Sequence, residues 1–499
     1  MERQGSAPAE SCFAQTGSVQ LDALIRAIAP EEVIGRRPLE ISDVAYDTRS
    51  VGPGTLFVCI PGANRDGHDL AAEAVAHGAA ALVVERAVDV AVPQLLVESS
   101  RAAAAVAAAT FFGEPTERLD VAGVTGTNGK TTTTYLLRSI LEADGRQTAL
   151  VGTVEWIVGG RARPAPHTTP EAIDLQRLFR EMLDAGDRAV AVEASSHGSH
   201  YRRLDRVRFD ALVFTNLTQE HLDLHGDMEA YFQAKRRLFT GVAPPPAAVN
   251  VGDPYGRRLA EELLGAHRAP LVTFGLRPEA EVRADDLELD THGARFTAAG
   301  IPLETRLLGV FNVENVLGAV AAALLLDVDE DAIAAGVRAV TGVPGRFEPI
   351  DEGQGFAVVV DYSHKPDALA AVLEAARSLG EGRLTVVVGA GGDRDRTKRP
   401  EMGRAAKELA DRVIVTNDNP RSEDPLRIAE EILLGAGTDV EVDLDRRSAI
   451  ESAIEGAAAG DVVVIAGKGH EQGQEVAGVV HPFDDREVAR EALRKLAAR

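Results

Sequence analysis

Residues 123–131 read Gly-Val-Thr-Gly-Thr-Asn-Gly-Lys-Thr, between an apolar strand-like run, LDVAGV (119–124), and a helix-like run that begins at Thr131. That context and the Gly-Lys-Thr ending are those of a phosphate-binding loop. Gly126 and Gly129 let backbone N–H groups turn toward phosphate oxygens, and the start of a helix adds its positive end. Lys130 has the reach for β- and γ-phosphates, and the Thr131 hydroxyl suits Mg²⁺. The spacing departs from the usual pattern once: Val124 stands where a first glycine is expected, and Gly123 lies one residue earlier. A glycine-rich turn that binds nothing is the bland alternative.

Other groups sit where chemistry is placed in open α/β sheets. Glu193 closes the apolar run RAVAVE (188–193), at the carboxyl end of a strand. His221 follows the run DALVFTN (210–216), and Lys235 lies in Tyr231-Phe-Gln-Ala-Lys-Arg-Arg-Leu-Phe239. Taken one at a time, these are equally a solvated carboxylate, a loop histidine and a surface lysine. In the last third, Asp361–Pro366, Gly391–Asp395, Asp418–Arg421 and Gly467–Glu471 each follow a strand-like run directly. Parallel strands share one carboxyl edge, so the four loops should converge there. Arg421, in Asp418-Asn419-Pro420-Arg421, offers a planar fork matched to a carboxylate. Alone, that tetrapeptide could also be a loop tied by a surface arginine.

The elements that must hold these groups are legible as patterns. Residues 20–112 carry short strands, TLFVCI (55–60) and AALVVE (80–85), among Ala-rich helices. The middle adds AAVNV (247–251), after a stiff Pro244-Pro245-Pro246 turn, and an Ala/Leu-rich helix near 312–327. Beyond Gly342–Arg346, the runs FAVVVD (356–361), RLTVVVG (383–389), RVIVTN (412–417) and DVVVIAG (461–467) alternate with amphipathic helices. Continuous apolar strands of this kind belong to a parallel sheet covered on both faces. The expected fold is α/β: a flexible tail (1–18), an N-terminal domain (19–114), a central P-loop ATPase-like domain (115–344) and a C-terminal Rossmann-like parallel-sheet domain (345–499).

Composition narrows the function. The 499 residues include 77 acidic and 53 basic side chains, a net charge of −24, which disfavours general binding to nucleic acid or an anionic membrane. Aromatics at 4% leave no base-stacking platform. A polyanionic substrate must therefore be held by helix N-termini, metal ions and a few placed cations. Two cysteines make neither a disulfide framework nor a four-ligand zinc site; Cys12 reads as a tail thiol and Cys59 as a small buried hydrophobe. No apolar run approaches the ~18 residues of a membrane helix, and the N-terminus lacks the apolar core of a signal peptide. A cytoplasmic protein with no membrane insertion and no nucleic-acid partner is expected.

The chain resembles the Mur ligase family, the ATP-dependent amide-forming enzymes of peptidoglycan assembly, from about residue 40 to 485. Besides GTNGKT the resemblance is carried by Asp47-Thr-Arg49, His167-Thr-Thr-Pro170, Glu193-Ala-Ser-Ser-His197, Thr215-Asn-Leu-Thr-Gln-Glu-His-Leu-Asp223, His225-Gly-Asp-Met, Phe311-Asn-Val-Glu-Asn315, Pro344-Gly-Arg346, Asp361-Tyr-Ser-His-Lys-Pro366, Gly391-Gly-Asp-Arg-Asp395, Asp418-Asn-Pro-Arg421 and Gly467-Lys-Gly-His-Glu471. It is similar above all to members that add the third residue of the stem peptide.

The resemblance implies that a substrate carboxylate is phosphorylated by ATP and the acyl phosphate is attacked by an amine. It implies ATP contacts at Gly126, Thr127, Asn128, Gly129, Lys130, Thr131, Thr132, Asn315 (adenine), Arg346 and His364, with Lys365 nearby. It implies Mg²⁺ held by Thr131, Glu193, His221 and Lys235, the lysine carrying a CO₂-derived carbamate, with Lys130, Glu193, His221 and Lys235 as the catalytic set. Tyr46, Thr48 and the turn Ala63-Asn64-Arg65 match uridine-nucleotide contacts; His167, Thr168, Thr169, Ser195, Tyr201 and Arg203 match muramoyl-peptide contacts. Arg394, Asp418, Asn419, Pro420, Arg421, Gly467 and Glu471 match contacts to meso-diaminopimelate. The implied substrates are that amino acid and UDP-N-acetylmuramoyl-L-alanyl-D-glutamate, the implied roles extend to cell shape and division, and a monomer is expected. This chain departs from the family pattern at Tyr201 (often Gln), Ser199-His200 (often more apolar), Glu220 (usually Asp) and Lys365 (often Thr). The alternatives are the same ligase using L-lysine or another amino acid, a folylpolyglutamate synthetase-like ligase, and a catalytically silent nucleotide-binding module.

Overall fold

The computed structural model describes residues 17–62, 65–241 and 243–498. Most of the expected tail, with Cys12, and Ala63-Asn64 of the expected uridine turn lie outside the described residues. Two compact units emerge: the described residues up to Gly123 with Arg146–Asp210, and Val124–Gly145 with the chain from Ala211 onward.

The first unit holds a five-stranded sheet in the order Glu32–Ile34, Gln94–Leu96, Ala79–Val84, Thr55–Val58, Asp43–Ala45. Only the Glu32–Ile34 pairing is antiparallel. Helix Ser100–Phe111 covers one face with Ala103, Ala104, Ala107 and Ala108, residues small enough to bring helix and sheet close. On the other face Cys59 is fully buried among Phe57, Leu82 and Val84, the place of a small hydrophobe. Burial pushes its thiol up to about 12. The unit also contains a hairpin, Glu155–Val158 with Arg161–Pro164, and strand Ala189–Glu193 parallel to Thr148–Val151.

The strand Asp120–Thr125 runs from the first unit into the second. In the second unit, strands Ala211–Phe214, Ala247–Asn250 and Leu271–Phe274 are parallel. Helix Val310–Leu325 lies on them: a Cβ at Gly318 would come 2.9 Å from the Phe274 ring, so glycine sets the contact. A three-stranded antiparallel sheet follows, Asp285–Asp290, Gly293–Ala298 and Ile301–Thr305.

The C-terminal sheet runs Glu348–Pro349, Ala357–Asp361, Val462–Ala466, Leu384–Val388, Arg412–Val415, Glu441–Val442, parallel except at the first pair. Alternate side chains serve opposite faces. Val359, Val386, Val388 and Val464 pack under helices Pro366–Arg377, Lys398–Leu409 and Pro425–Ala436. Val358, Val360, Val387 and Ile465 pack under Arg446–Glu455 and Asp485–Ala497. Both faces are dry, which is why these strands read as unbroken valine and isoleucine. Among the described residues no helix is long and apolar enough to cross a membrane.

Candidate active site

The phosphate loop has the expected form. Helix Lys130–Ala143 starts one residue earlier than its sequence pattern suggests, with Gly129 as its cap at φ +83°. A Cβ at Gly129 would lie 2.2 Å from Asn315 Oδ1, and one at Gly126 would lie 1.8 Å from Thr215 Oγ1. Only glycine fits either place. The loop is stapled to the segment after strand Ala211–Phe214: Asn128 N–H donates to Asn216 Oδ1 (2.8 Å), Thr127 N–H to Asn216 O (2.9 Å), and Thr215 Oγ1 to Asn128 O (2.6 Å).

Cations gather around this loop. Lys130 Nζ donates to the carbonyls of Gly126 (3.0 Å) and Thr127 (2.9 Å), and Lys235 Nζ donates to Gly126 O (2.8 Å). Arg346 Nη2 donates to Thr131 Oγ1 (3.2 Å), while its Nε is buried without an acceptor among the described residues. Thr132 is buried beside Thr131, and Asn315 is buried under the loop with its amide donating to Asn312 (2.9 Å). Lys235 is fully enclosed; burial, then the neighbouring Lys130 charge, hold its ammonium well below the usual lysine range. A neutral buried amine is what carbamate formation requires. Tyr231, one helical turn before Lys235, organises this corner. Its hydroxyl meets Thr127 Oγ1 (3.1 Å), its ring lies 4.8 Å from Lys235 Nζ, and His225 stacks on it.

His221 sits in the left-handed region at φ +55° with Nε2 3.3 Å from Glu220 Oε1. Two of the departures from the family pattern, Glu220 and Lys365, pair with each other at 2.7 Å, both nearly buried. Burial opposes charge on Glu220, but Lys365, His221 and Lys130 outweigh it and keep the carboxyl well below its ordinary range. His364 is enclosed; burial, then Lys365 and Lys398, push it down to about 3, and it stays neutral with Nδ1 2.8 Å from Tyr362 O.

In the first unit, Glu193 is buried at the end of its strand and accepts from Thr153 N (2.8 Å) and Thr153 Oγ1 (2.9 Å). The structure links it to most of the expected peptide contacts. Thr168 Oγ1 meets Thr153 Oγ1 (3.1 Å), Thr169 Oγ1 donates to Glu193 O (2.7 Å) and meets Ser195 Oγ (2.9 Å), and Arg203 donates to Thr169 O (3.0 Å). Arg203 also pairs with Glu171 at 2.7 Å, and Tyr201 lies beneath both Arg203 and Arg101. His167 is exposed beside this network. Tyr46 donates its hydroxyl to Asp174 (2.6 Å), and buried Thr48 offers its carbonyl to His77 (3.0 Å); both are engaged in holding the fold.

The four C-terminal loops do share one edge, because Asp361, Ala466, Val388 and Val415 end strands in register. Asn419 Nδ2 donates to Glu471 Oε2 (2.7 Å). Gly467, at φ +120°, lies so close to Asp418 that a Cβ would meet its Oδ2 at 2.7 Å. Buried Pro420 leads to Arg421, also at positive φ, whose Nη1 donates to Gly392 O (2.7 Å) and whose Nε faces Glu475 at 3.3 Å. Its Nη2 has no acceptor among the described residues. Arg394 is exposed next to these loops, bonded to Asp393 O (3.1 Å). From beneath, buried Arg446 is clamped by Asp485 and donates to the carbonyls of Asn417 and Ala466, just before the two pocket loops. Arg446 and Glu475 lie in no quoted motif, and Tyr231 and Lys468 lie within quoted segments without a role read for them; only their contacts mark all four.

The residues fit the groups the resemblance implies. The glycine cradle, the helix start and the surrounding cations suit a polyphosphate; Thr131 suits a metal directly, and Lys235, whose charge burial disfavours, would suit one as a carbamate. Among the described residues no three His, Cys, Asp or Glu side chains gather as a metal site; the expected set has only two such groups, with a hydroxyl and a modified lysine.

Family models match three consecutive stretches: the Mur ligase family catalytic domain at 40–120, the Mur ligase middle domain at 124–323 and the Mur ligase glutamate ligase domain at 345–469. The chain is 46% identical over 475 residues to the UDP-N-acetylmuramoyl-L-alanyl-D-glutamate--2,6-diaminopimelate ligase of Streptomyces coelicolor, covering 91% of this chain and 93% of that one. It is 45% identical to the ligase of the same name from Solibacter usitatus, covering 94% and 96%. A solved structure of a ligase of that name superimposes with a TM-score of 0.70 at 33% identity, over 96% of this chain and 99% of that one. The chain belongs to the Mur ligase family.

Proposed function

We propose that this chain is the ligase that joins meso-2,6-diaminopimelate to UDP-N-acetylmuramoyl-L-alanyl-D-glutamate at the expense of ATP, in peptidoglycan biosynthesis. The reading is supported by relatives that carry this activity in their names. The observation that carries the choice of amino acid is the edge where Arg421 and Glu471 stand on converging loops. The far carbon of meso-diaminopimelate bears a carboxylate and an ammonium together. An arginine with an uncommitted nitrogen and a nearby carboxylate match that pair. Lysine has no distal carboxylate to offer the uncommitted nitrogen of Arg421.

In this reading the substrate carboxylate takes the terminal phosphoryl group of ATP, the amine attacks the acyl phosphate, and phosphate leaves. Charge neutralisation and positioning are the main demands of the first step. Lys130 and the loop amides hold the phosphates, and Thr131, Glu193, His221 and carbamylated Lys235 would hold Mg²⁺. That metal would neutralise developing phosphate charge. Thr169, Ser195 and Arg203 orient the peptide, with Tyr201 as the floor under Arg203. The three-domain division at 114/115 and 344/345, a cytoplasmic setting and a monomeric state complete the proposal.

The test is incubation with UDP-N-acetylmuramoyl-L-Ala-D-Glu, ATP and Mg²⁺, in parallel with meso-diaminopimelate, L-lysine or L-ornithine, read by mass spectrometry. Tripeptide product with diaminopimelate alone is expected. Product with lysine alone sinks the pocket assignment; no product with any amino acid, despite ATP binding, sinks the activity.

A further inference from the structure

Lys468 is fully buried directly behind the amino-acid pocket. Its ammonium donates to Asn419 Oδ1 (3.0 Å) and Glu471 Oε2 (3.1 Å) and lies 3.8 Å from Asp418 Oδ1. An enclosed lysine persists only where its charge is met, and here it is met by three residues of the pocket itself. The geometry has two consequences. Asn419 Oδ1 receives two donors, Lys468 Nζ and Glu475 N–H (2.9 Å), so its amide can point only one way, with Nδ2 donating to Glu471. Glu471 Oε2 is likewise held by two donors, Asn419 and Lys468, while Oε1 has no partner among the described residues. Asp418, Glu471 and Lys468 together carry one net negative charge.

We propose that Lys468 is a positioning residue for amino-acid selection: it locks Asn419 and Glu471 so that one carboxylate oxygen and one net negative charge face the distal ammonium of a diamino dicarboxylic acid. This rests on the pocket reading above. Without the lysine, the Asn419 amide loses the donor that orients it, Glu471 loses one of its two anchors, and the pocket gains an uncompensated charge. Geometry at the distal ammonium loosens, whereas the phosphate loop is untouched.

The experiment is steady-state kinetics of wild type, Lys468→Met and Lys468→Arg, varying each of the three substrates in turn, with L-lysine as the competing amino acid. For K468M the KM for meso-diaminopimelate should rise roughly tenfold or more, the scale of one lost charge-assisted hydrogen bond. The KM for ATP and for the UDP-peptide should stay near wild type, and the preference over L-lysine should narrow. K468R, which keeps the charge, should show a smaller rise confined to the same substrate. A purely structural lysine would lower thermal stability and shift all three KM values together, or kcat alone, and that result overturns the inference. If K468M does not fold, K468R decides: a selective rise supports the role, and an unchanged or uniform profile overturns it. Failure of the pocket reading is separate, because it shows in the wild type as product with lysine and none with diaminopimelate.

Discussion

At the scale of single residues, the phosphate loop is surrounded by lysines whose different surroundings give them different work. Lys130 stays at the loop, while Lys235 is sealed beneath it against Tyr231 and Gly126. Burial disfavours the charge of Lys235, and the carbamate proposed for it builds on that. Lys235→Ala is expected to lower kcat by roughly a hundredfold or more, the scale of losing one preorganised electrostatic group, with ATP binding by calorimetry retained. Wild-type activity should fall in CO₂-depleted buffer and return with bicarbonate. The Glu220–Lys365 pair makes a second prediction. Breaking a buried pair from one side leaves an unmatched charge, so E220Q and K365M should each destabilise more than their combination does. Chemical denaturation should give a coupling of about 1–3 kcal/mol between them. Each of these two substitutions, viewed alone in the sequence, is a departure; only their 2.7 Å contact shows that they answer one another.

At the scale of elements, close approaches are set by glycines at a few positions. Gly336 in helix Glu330–Ala339 meets helix Lys130–Ala143 so tightly that a Cβ would lie 2.4 Å from Ile140 Cα. Gly336→Val should cost about 1–3 kcal/mol, as overpacking does, with a lowered Tm and weakened nucleotide binding because the phosphate-loop helix is displaced. The strands buried on both faces were legible from their unbroken apolar runs. The sheet 285–305 was not: Asp285–Asp290 reads DDLELD and is mostly exposed, so it lacks an apolar signature. Its companion turn, Ala299-Gly300, has positive φ at both residues, as a tight hairpin demands, but alanine there gives no turn signal. The hairpins 155–164 and 473–482 escape for the same reason, since their outer strands are exposed. The second of these matters to function, because it brings Glu475 to Arg421 and Asn419.

At the scale of the whole molecule, the cores are alkyl and small, and buried arginine clamps brace the loops. Arg399, fully enclosed, is gripped by Glu423 and Glu431. Its hydrogen bonds outweigh the burial cost to Glu423 and lower that carboxyl to about 2. A depressed carboxyl stabilises the fold above its unfolded value and loses that contribution as pH falls through the folded one. The stability gap between wild type and Glu423→Gln should therefore be full above about pH 5 and close as pH approaches 2, measured by thermal unfolding across that range.

Features written in contiguous residues needed no fold to be read. These are the phosphate loop, the order of strands and helices in the C-terminal third, the convergence of four loops on one edge, and the family. Each follows from local pattern, since a helix start, an apolar run or a motif needs no distant partner to be recognised. Tertiary structure alone decided which charges meet: Lys365 with Glu220, Arg446 under Asn417 and Ala466, Lys468 with Asn419 and Glu471. The physical reason is that a charge acquires its role from its neighbours and its exposure, and most of those neighbours lie tens to hundreds of positions away in the chain.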